Sequence, residues 1–237
     1  MLKKIGIIGG VGWPSTVDYY RLICENSNRH FRNHTLPPIL IYSLNFEEIK
    51  AHHFEKAWDA TIPSLVEAGQ ALERAGADFV LIASGTTNIP YEKVQAQLNI
   101  PILSIVKPSA EAIQKKGLKK VALLGTKATM EHPFFSGELN KFGLEVLVPD
   151  LEDREEVHRI IYEELCSNLI YEASKQSYIE VVNRLIRRGA EVLVLGCTEI
   201  PLLISQEDFS IPVINMSELH TEAAFQASLA EVGEVDG

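Results

Sequence analysis

The sequence predicts an α/β protein made of two pseudo-symmetric, doubly wound parallel-sheet domains. Three observations carry this. Short β-branched runs alternate with longer amphipathic stretches. Those runs are apolar almost throughout, as strands covered on both faces are. The chain also resembles itself: GADFVLIASGTTNIP (76–90) matches GAEVLVLGCTEIP (189–201), NIPILSI (99–105) matches SIPVINM (210–216), and KKIGIIGG (3–10) matches KKVALLGT (119–126).

In chain order, IGIIGG (5–10) is a strand, followed by a helical pattern through Val17–Asn28. ILIYSLNF (39–46) precedes a helix at Glu47–Glu55, and a helix at Thr61–Ala75 leads into the strand DFVLIAS (78–84). IPILSI (100–105) is a strand before the helix Lys107–Lys116. The strand KKVALLGT (119–126), a helix at Glu138–Phe142 and the strand LEVLVP (144–149) come next. The long helix Tyr171–Arg188 leads to EVLVLGC (191–197), and IPVINM (211–216) precedes a last helix, Ser217–Leu229. The repeat divides the chain into halves of 1–105 and 106–212, with the C-terminal helical segment 213–230 packing back on the first half. The tail Glu231–Gly237 reads as disordered.

Composition narrows the function. The net charge of -10 argues against a nucleic-acid surface, which needs clustered Lys and Arg. No apolar run reaches membrane-spanning length, and no leader pattern succeeds the opening lysines. Cys24, Cys166 and Cys197 are too few and too scattered for a disulfide framework or a zinc site, which suits a reducing cytoplasm. GIIGGVG lacks the G-x-G-x-x-G spacing, so a nicotinamide site is rejected.

Ligands of open parallel sheets sit beyond the carboxyl ends of the strands. Gly9–Gly10, Ser84–Thr86, Gly125–Thr126 and Cys197–Glu199 all fall at such ends. In the repeat Ser84 stands opposite Cys197, so a pseudo-two-fold would face them across a cleft between the halves. Gly9 and Gly10 would let the backbone approach a substrate. Cys197, at the start of a helix, would be favoured as thiolate, with Thr198 as capping residue and Glu199 as first-turn acid. Cys24 and Cys166 lie in amphipathic helical patterns and read as packing residues.

GCTEI (196–200), GGVGWPST (9–16), YYRLI (19–23) and LLGT (123–126) resemble the aspartate/glutamate racemase superfamily, most closely its broad-specificity amino-acid and L-aspartate/glutamate branch, which YEELC and EAS (162–166, 172–174) also fit. The resemblance implies a homodimer acting on a small amino-acid substrate, independent of pyridoxal phosphate and metals. It also marks a departure. Typical members carry CNTxH at the first half's strand end; here it reads SGTTN, so Ser84 takes the cysteine's place, Gly85 the asparagine's and Asn88 the histidine's, while Thr86 is retained.

A cofactor-free racemase needs a base on one face of Cα, an acid on the other, and donors for the carboxylate. Cys197 would serve one face, and Ser84, or a water it holds, the other. Backbone N–H groups at Gly85–Thr86 and Thr198–Glu199, with the hydroxyls of Thr86, Thr126 and Thr198, would receive the carboxylate. Gly10, Val11 and His53 complete the expected binding set; the resemblance places His53 toward the substrate's distal end, and Glu199 could meet the ammonium. Two other readings stand beside this one. One is a single-cysteine decarboxylase of malonate-type acids, since GTT (85–87) echoes the Gly-Thr-Ser turn of arylmalonate decarboxylases. The other is a non-catalytic amino-acid-binding paralogue. His52 and His53, adjacent on a helix, cannot share one metal. Trp13 and Tyr19–Tyr20 read as cleft walls or packing. EDREEVHR (152–159) reads as a solvated helix start, or else as a lid or dimer contact.

Overall fold

The computed structural model describes residues 2–229. The tail Glu231–Gly237 lies outside the described residues. The fold is two parallel-sheet α/β units. The first ends at Ile105 and resumes at His220; the second is Val106–Leu219.

In the first unit, β1 (Ile5–Gly9) leads to α1 (Trp13–Phe31), then β2 (Ile39–Ser43), α2 (Phe46–Phe54), α3 (Ile62–Arg74), β3 (Phe79–Ile82) and the short α4 (Tyr91–Gln95). The sheet order is β2-β1-β3, all parallel. Side chains alternate between its faces, as the pleat requires. Ile5, Ile7, Phe79 and Leu81 pack with Tyr19 and Ile23 of α1. Ile8, Val80 and Ile82 pack with Leu65, Ala68 and Leu72 of α3.

The second unit runs α5 (Lys107–Lys115), β4 (Lys120–Leu124), α6 (Lys127–Glu131), α7 (Pro133–Lys141), β5 (Glu145–Leu147), α8 (Leu151–Glu163), α9 (Glu172–Arg187), β6 (Val192–Leu195) and β7 (Val213–Asn215). Its order is β5-β4-β6-β7, again parallel. Ala122, Leu124, Leu193 and Leu195 pack against Val157, Ile160 and Ile161 of α8 and Tyr178, Val181 and Leu185 of α9. The last helix, α10 (Met216–Leu229), starts in this unit and ends in the first. It begins after β7, so the segment 213–230 is not helical from its start. No helix of the described residues is long and apolar enough to cross a membrane.

The matched segments carry matched hydrogen bonds. Asp78 Oδ2 accepts from Lys4 N, and Glu191 Oε2 accepts from Lys119 N and Lys120 N. The Gln95 side chain donates to Ile100 O and accepts from Ile102 N. Gln206 does the same at Ile211 O and Val213 N.

One expected strand is cut short. The segment 100–105 pairs only through a bridge between Val80 and Ile102. The Leu103 carbonyl, next along the ladder, accepts from His220 Nε2 of α10 at 3.1 Å instead. The other ring nitrogen of His220 therefore accepts from Tyr19 Oη at 3.0 Å, tying α10 to α1. Cys166 also departs from expectation: it sits in a 3₁₀ turn, Leu165–Ser167, after α8 has ended.

Candidate functional site

In the first unit, β3 ends at Ile82 and the chain turns through Ser84 and Gly85 into a 3₁₀ turn, Thr86–Asn88. Asn88 is fully buried and fixes this turn: its Nδ2 donates to Ile82 O at 3.1 Å and to Ser84 O at 2.6 Å. Its Oδ1 has no hydrogen-bond partner. Ser84 is buried, and its Oγ accepts from Thr87 Oγ1 at 2.9 Å. The neighbour of the serine is thus another hydroxyl rather than a base. Its own proton is left to donate.

The glycines at the end of β1 are closely packed against the protein itself. Gly10 has φ 85, and a Cβ there would lie 2.2 Å from Leu44 O. A Cβ at Gly9 would lie 2.5 Å from Thr16 Cγ2. The Gly10 N–H donates to Thr16 Oγ1 at 2.8 Å. The close approach is therefore the protein's own, and the Gly10 N–H is committed to α1. Val11 beside it is buried.

His53, near the end of α2, is buried, with its ring 5.7 Å from that of Trp58. Nε2 has no hydrogen-bond partner. Burial, aided by the neighbouring His52, lowers its pKa to about 4, so the imidazole is neutral at pH 7. His52 is only half-buried, as adjacent helical positions would have it.

In the second unit, β4 exits at Gly125 into Thr126, which caps α6 by accepting from Thr129 N at 3.2 Å. Thr129 then wedges between two exit turns. A Cβ at Gly125 would lie 2.7 Å from Thr129 Cβ, and one at Gly196 would lie 2.9 Å from Thr129 Cγ2. Gly196 N also donates to Leu124 O at 2.7 Å, which joins the end of β4 to the turn that carries Cys197.

Cys197 is buried, 8% exposed. Its Sγ donates to Glu199 Oε2 at 3.0 Å, and Thr198 Oγ1 donates to the same oxygen at 2.7 Å. The Glu199 backbone N–H returns a hydrogen bond to the sulfur. Glu199 is buried as well. Burial, reinforced by the Glu199 carboxylate, pushes the Cys197 thiol well above its usual pKa. This corrects the expectation of a resting thiolate, for two reasons. The cysteine leads only into a three-residue 3₁₀ turn, Ile200–Leu202, too short to supply a helix dipole. And the nearest charge is an anion. Thr198, expected as a cap and a substrate donor, spends its proton on Glu199.

Around the thiol lie Tyr178, whose Oη donates to Val157 O at 3.0 Å, and the partly buried Tyr162 and Cys166. Burial and the Glu199 charge raise Cys166 to about 12, which keeps it a thiol. The sequence reading missed Thr129 and the turn-fixing part of Asn88. The signal for Thr129 was present: in both halves a threonine comes after the strand-end glycine within the first turns of helix, Thr16 after Gly9 and Thr129 after Gly125.

The chain also has relatives. The family described as Asp/Glu/Hydantoin racemase matches residues 8–224. The chain is 23% identical over 240 residues to the broad specificity amino-acid racemase RacX of Bacillus subtilis (strain 168), covering 95% of this chain and 98% of that protein. Among solved structures, an aspartate racemase homologue from Pyrococcus horikoshii OT3 is 38% identical with a TM-score of 0.85, covering 97% of this chain and 100% of that one. A Yersinia pestis protein is 36% identical with a TM-score of 0.90 over the same shares.

Proposed function

The chain belongs to the Asp/Glu/hydantoin racemase family, and on that premise we propose that it is a cofactor-independent amino-acid racemase in which Cys197 serves one face of Cα and Ser84 the other. The observation that carries this reading is the buried Sγ–Oε2 contact of 3.0 Å between Cys197 and Glu199. A thiol is a poor base until it loses its proton, and here a carboxylate stands ready to take it. Proton transfer from Sγ to Glu199 gives a thiolate, held by the Glu199 backbone N–H. The thiolate accepts the α-proton. Ser84 relays a proton from a water to the opposite face of the carbanion, so its hydroxyl is restored as it delivers, and the hydroxide left behind is neutralised by the proton that Cys197 then releases.

With its proton on Glu199, the thiolate carries the charge of the pair, and a substrate ammonium beside it would help to hold that charge. Thr126 and the turn at Gly85–Thr86 supply polar groups for the substrate carboxylate, and Val11 and His53 line the remainder. The names of the relatives favour small amino acids, acidic ones or a broader set. The reading includes a cytoplasmic homodimer.

Proton NMR in deuterium oxide tests it, with each enantiomer of aspartate, glutamate and a panel of neutral amino acids. Wild type should wash out the α-proton, and Cys197→Ala should lose that activity by on the order of a thousandfold, within the range for a general base. A chiral assay then reports inversion. Exchange that survives Cys197→Ala would sink the assignment.

One observation favours a second reading. Among the described residues, the hydrogen bond to Ser84 Oγ comes from a hydroxyl, that of Thr87, at 2.9 Å. One-sided chemistry, with Cys197 alone delivering a proton after decarboxylation of a malonate-type acid, needs nothing more from the first unit. Carbon dioxide release from malonates without α-proton exchange on any amino acid would select it.

A further inference from the structure

We infer that His158, on α8, is a positioning residue for Cys197: its Nδ1 fixes the first turn of α6, and α6 in turn wedges the turn that holds the thiol. The inference deepens the proposed chemistry and rests on Cys197 being its reactive group.

The path is a chain of contacts. His158 Nδ1 accepts the backbone N–H of Lys127 at 3.3 Å, 31 residues away in sequence. Lys127 is the first residue of α6, directly after the cap Thr126. Two residues on, Thr129 fills the space that Gly125 and Gly196 leave free, and Gly196 precedes Cys197. One turn further along α8, Tyr162 lies 4.7 Å, ring to ring, from His158 and packs on the cluster that contains Cys197. The stretch 152–159 is thus more than a solvated face. Its outer residues pair with charges, and its inner residues buttress the ends of both β4 and β6.

The contact requires an unprotonated Nδ1. Protonation would set two donors against each other, His158 Nδ1–H and Lys127 N–H. The groups facing the ring are Lys127 and Glu131 of α6 and Glu155 and Tyr162 of α8. Burial and the Lys127 ammonium lower its pKa, while Glu155 and Glu131 oppose them. At neutral pH the acceptor is in place, and it is lost as the medium becomes acid.

Four variants separate the roles. His158→Asn keeps an acceptor near the Nδ1 position without a proton to gain. His158→Leu removes it. Lys127→Pro deletes the backbone donor without breaking the turn, since proline is tolerated at a first helical position and Thr126 is already extended at φ -62, ψ 163. Lys127→Ala is its control, because it shares the loss of the Lys127–Glu155 ion pair but keeps the N–H. Two readouts are taken: the pH profile of α-proton exchange, and the iodoacetamide labelling rate of Cys197 relative to Cys24 in the first unit, read by peptide mass spectrometry.

His158→Leu and Lys127→Pro should lower kcat about 3- to 10-fold with little change in KM, the worth of one neutral hydrogen bond. They should also raise Cys197 labelling relative to Cys24 by a similar factor. His158→Asn should stay close to wild type at neutral pH and lose the acid limb that His158 imposes. If His158→Asn behaves as His158→Leu does, or Lys127→Pro matches Lys127→Ala, the inference is overturned. Labelling needs no substrate, so it judges His158 even if the racemase reading fails.

Discussion

The two units differ least in their scaffolding and most at their strand exits. Asp78 and Glu191 anchor the same lysine-bearing strand starts, and Gln95 and Gln206 clasp the same isoleucine-proline segments. Thr16 and Thr129 fill the same space under strand-end glycines. Yet β3 exits into a serine fed by a hydroxyl and pinned by a buried amide, while β6 exits into a thiol paired with a buried carboxylate. The contrast separates two kinds of constraint. Backbone donors and acceptors at strand starts must be satisfied whatever the chemistry. The exit turns carry side chains that are free to diverge.

Four experiments would break or sharpen that contrast. Glu199→Gln has the largest expected effect, because it makes the second exit resemble the first. Without the carboxylate the thiol has nowhere to send its proton, and α-proton exchange should fall on the order of a hundredfold. At the same time the anion that raises the thiol pKa is gone, so iodoacetamide should label Cys197 at lower pH than in wild type. Unchanged exchange and labelling together would deny the pair its role.

Acid should reach the first unit before the second. His220 and His53 are both buried there with pKa values lowered to about 4. A base whose folded pKa lies below its unfolded value of about 6.5 takes up protons more readily when unfolded. Stability is therefore full above about 6.5 and falls as pH drops toward 4, by about 3 kcal/mol per group. Hydrogen exchange at descending pH should open β1–β3 and α1 ahead of β4–β7; simultaneous opening would contradict this.

Asn88→Ala leaves Ile82 O and Ser84 O unpaired in a buried turn, at a cost of about 1–3 kcal/mol in urea denaturation. A change below a few tenths would mean that water replaces the amide. Ser84→Cys is the smallest and most pointed change, since it gives the first exit an ionisable group. It should speed exchange about tenfold on the enantiomer that wild type handles more slowly. No gain on either enantiomer would remove this position from the proton path.

Much of this was legible in the residues. The strands were, because β-branched runs between glycines have few alternatives in a buried sheet. The repeat was, because Gly76 and Gly189, both at positive φ, recur before matched strands. The properties that escaped were those decided by a distant partner. The segment 100–105 reads as a strand, but its Leu103 carbonyl goes to His220, which lies 117 residues on. Gly10 has its Cβ space taken by the Leu44 carbonyl, 34 residues on, which no local pattern shows. Cys197 reads as an activated thiolate because its motif suggests a helix start, whereas Pro201 comes soon after and the chain makes a single 3₁₀ turn. Its acidity is set first by burial and then by a neighbour two residues away that bends back onto it, which no spacing rule encodes.

The tie between Tyr19 and His220 spans 201 residues, and Lys3 N donates to Ser228 O at 2.9 Å. One consequence concerns synthesis on the ribosome. The first sheet to emerge cannot be finished by its own segment: its outer helix arrives only after the whole second unit has been translated. The later-made unit, continuous from Val106 to Leu219, can close first. The older one waits with an apolar face uncovered, a period in which chaperone capture and proteolysis would act on β1–β3 rather than on β4–β7. Trimming α10 should accordingly cost soluble yield far more than its length suggests.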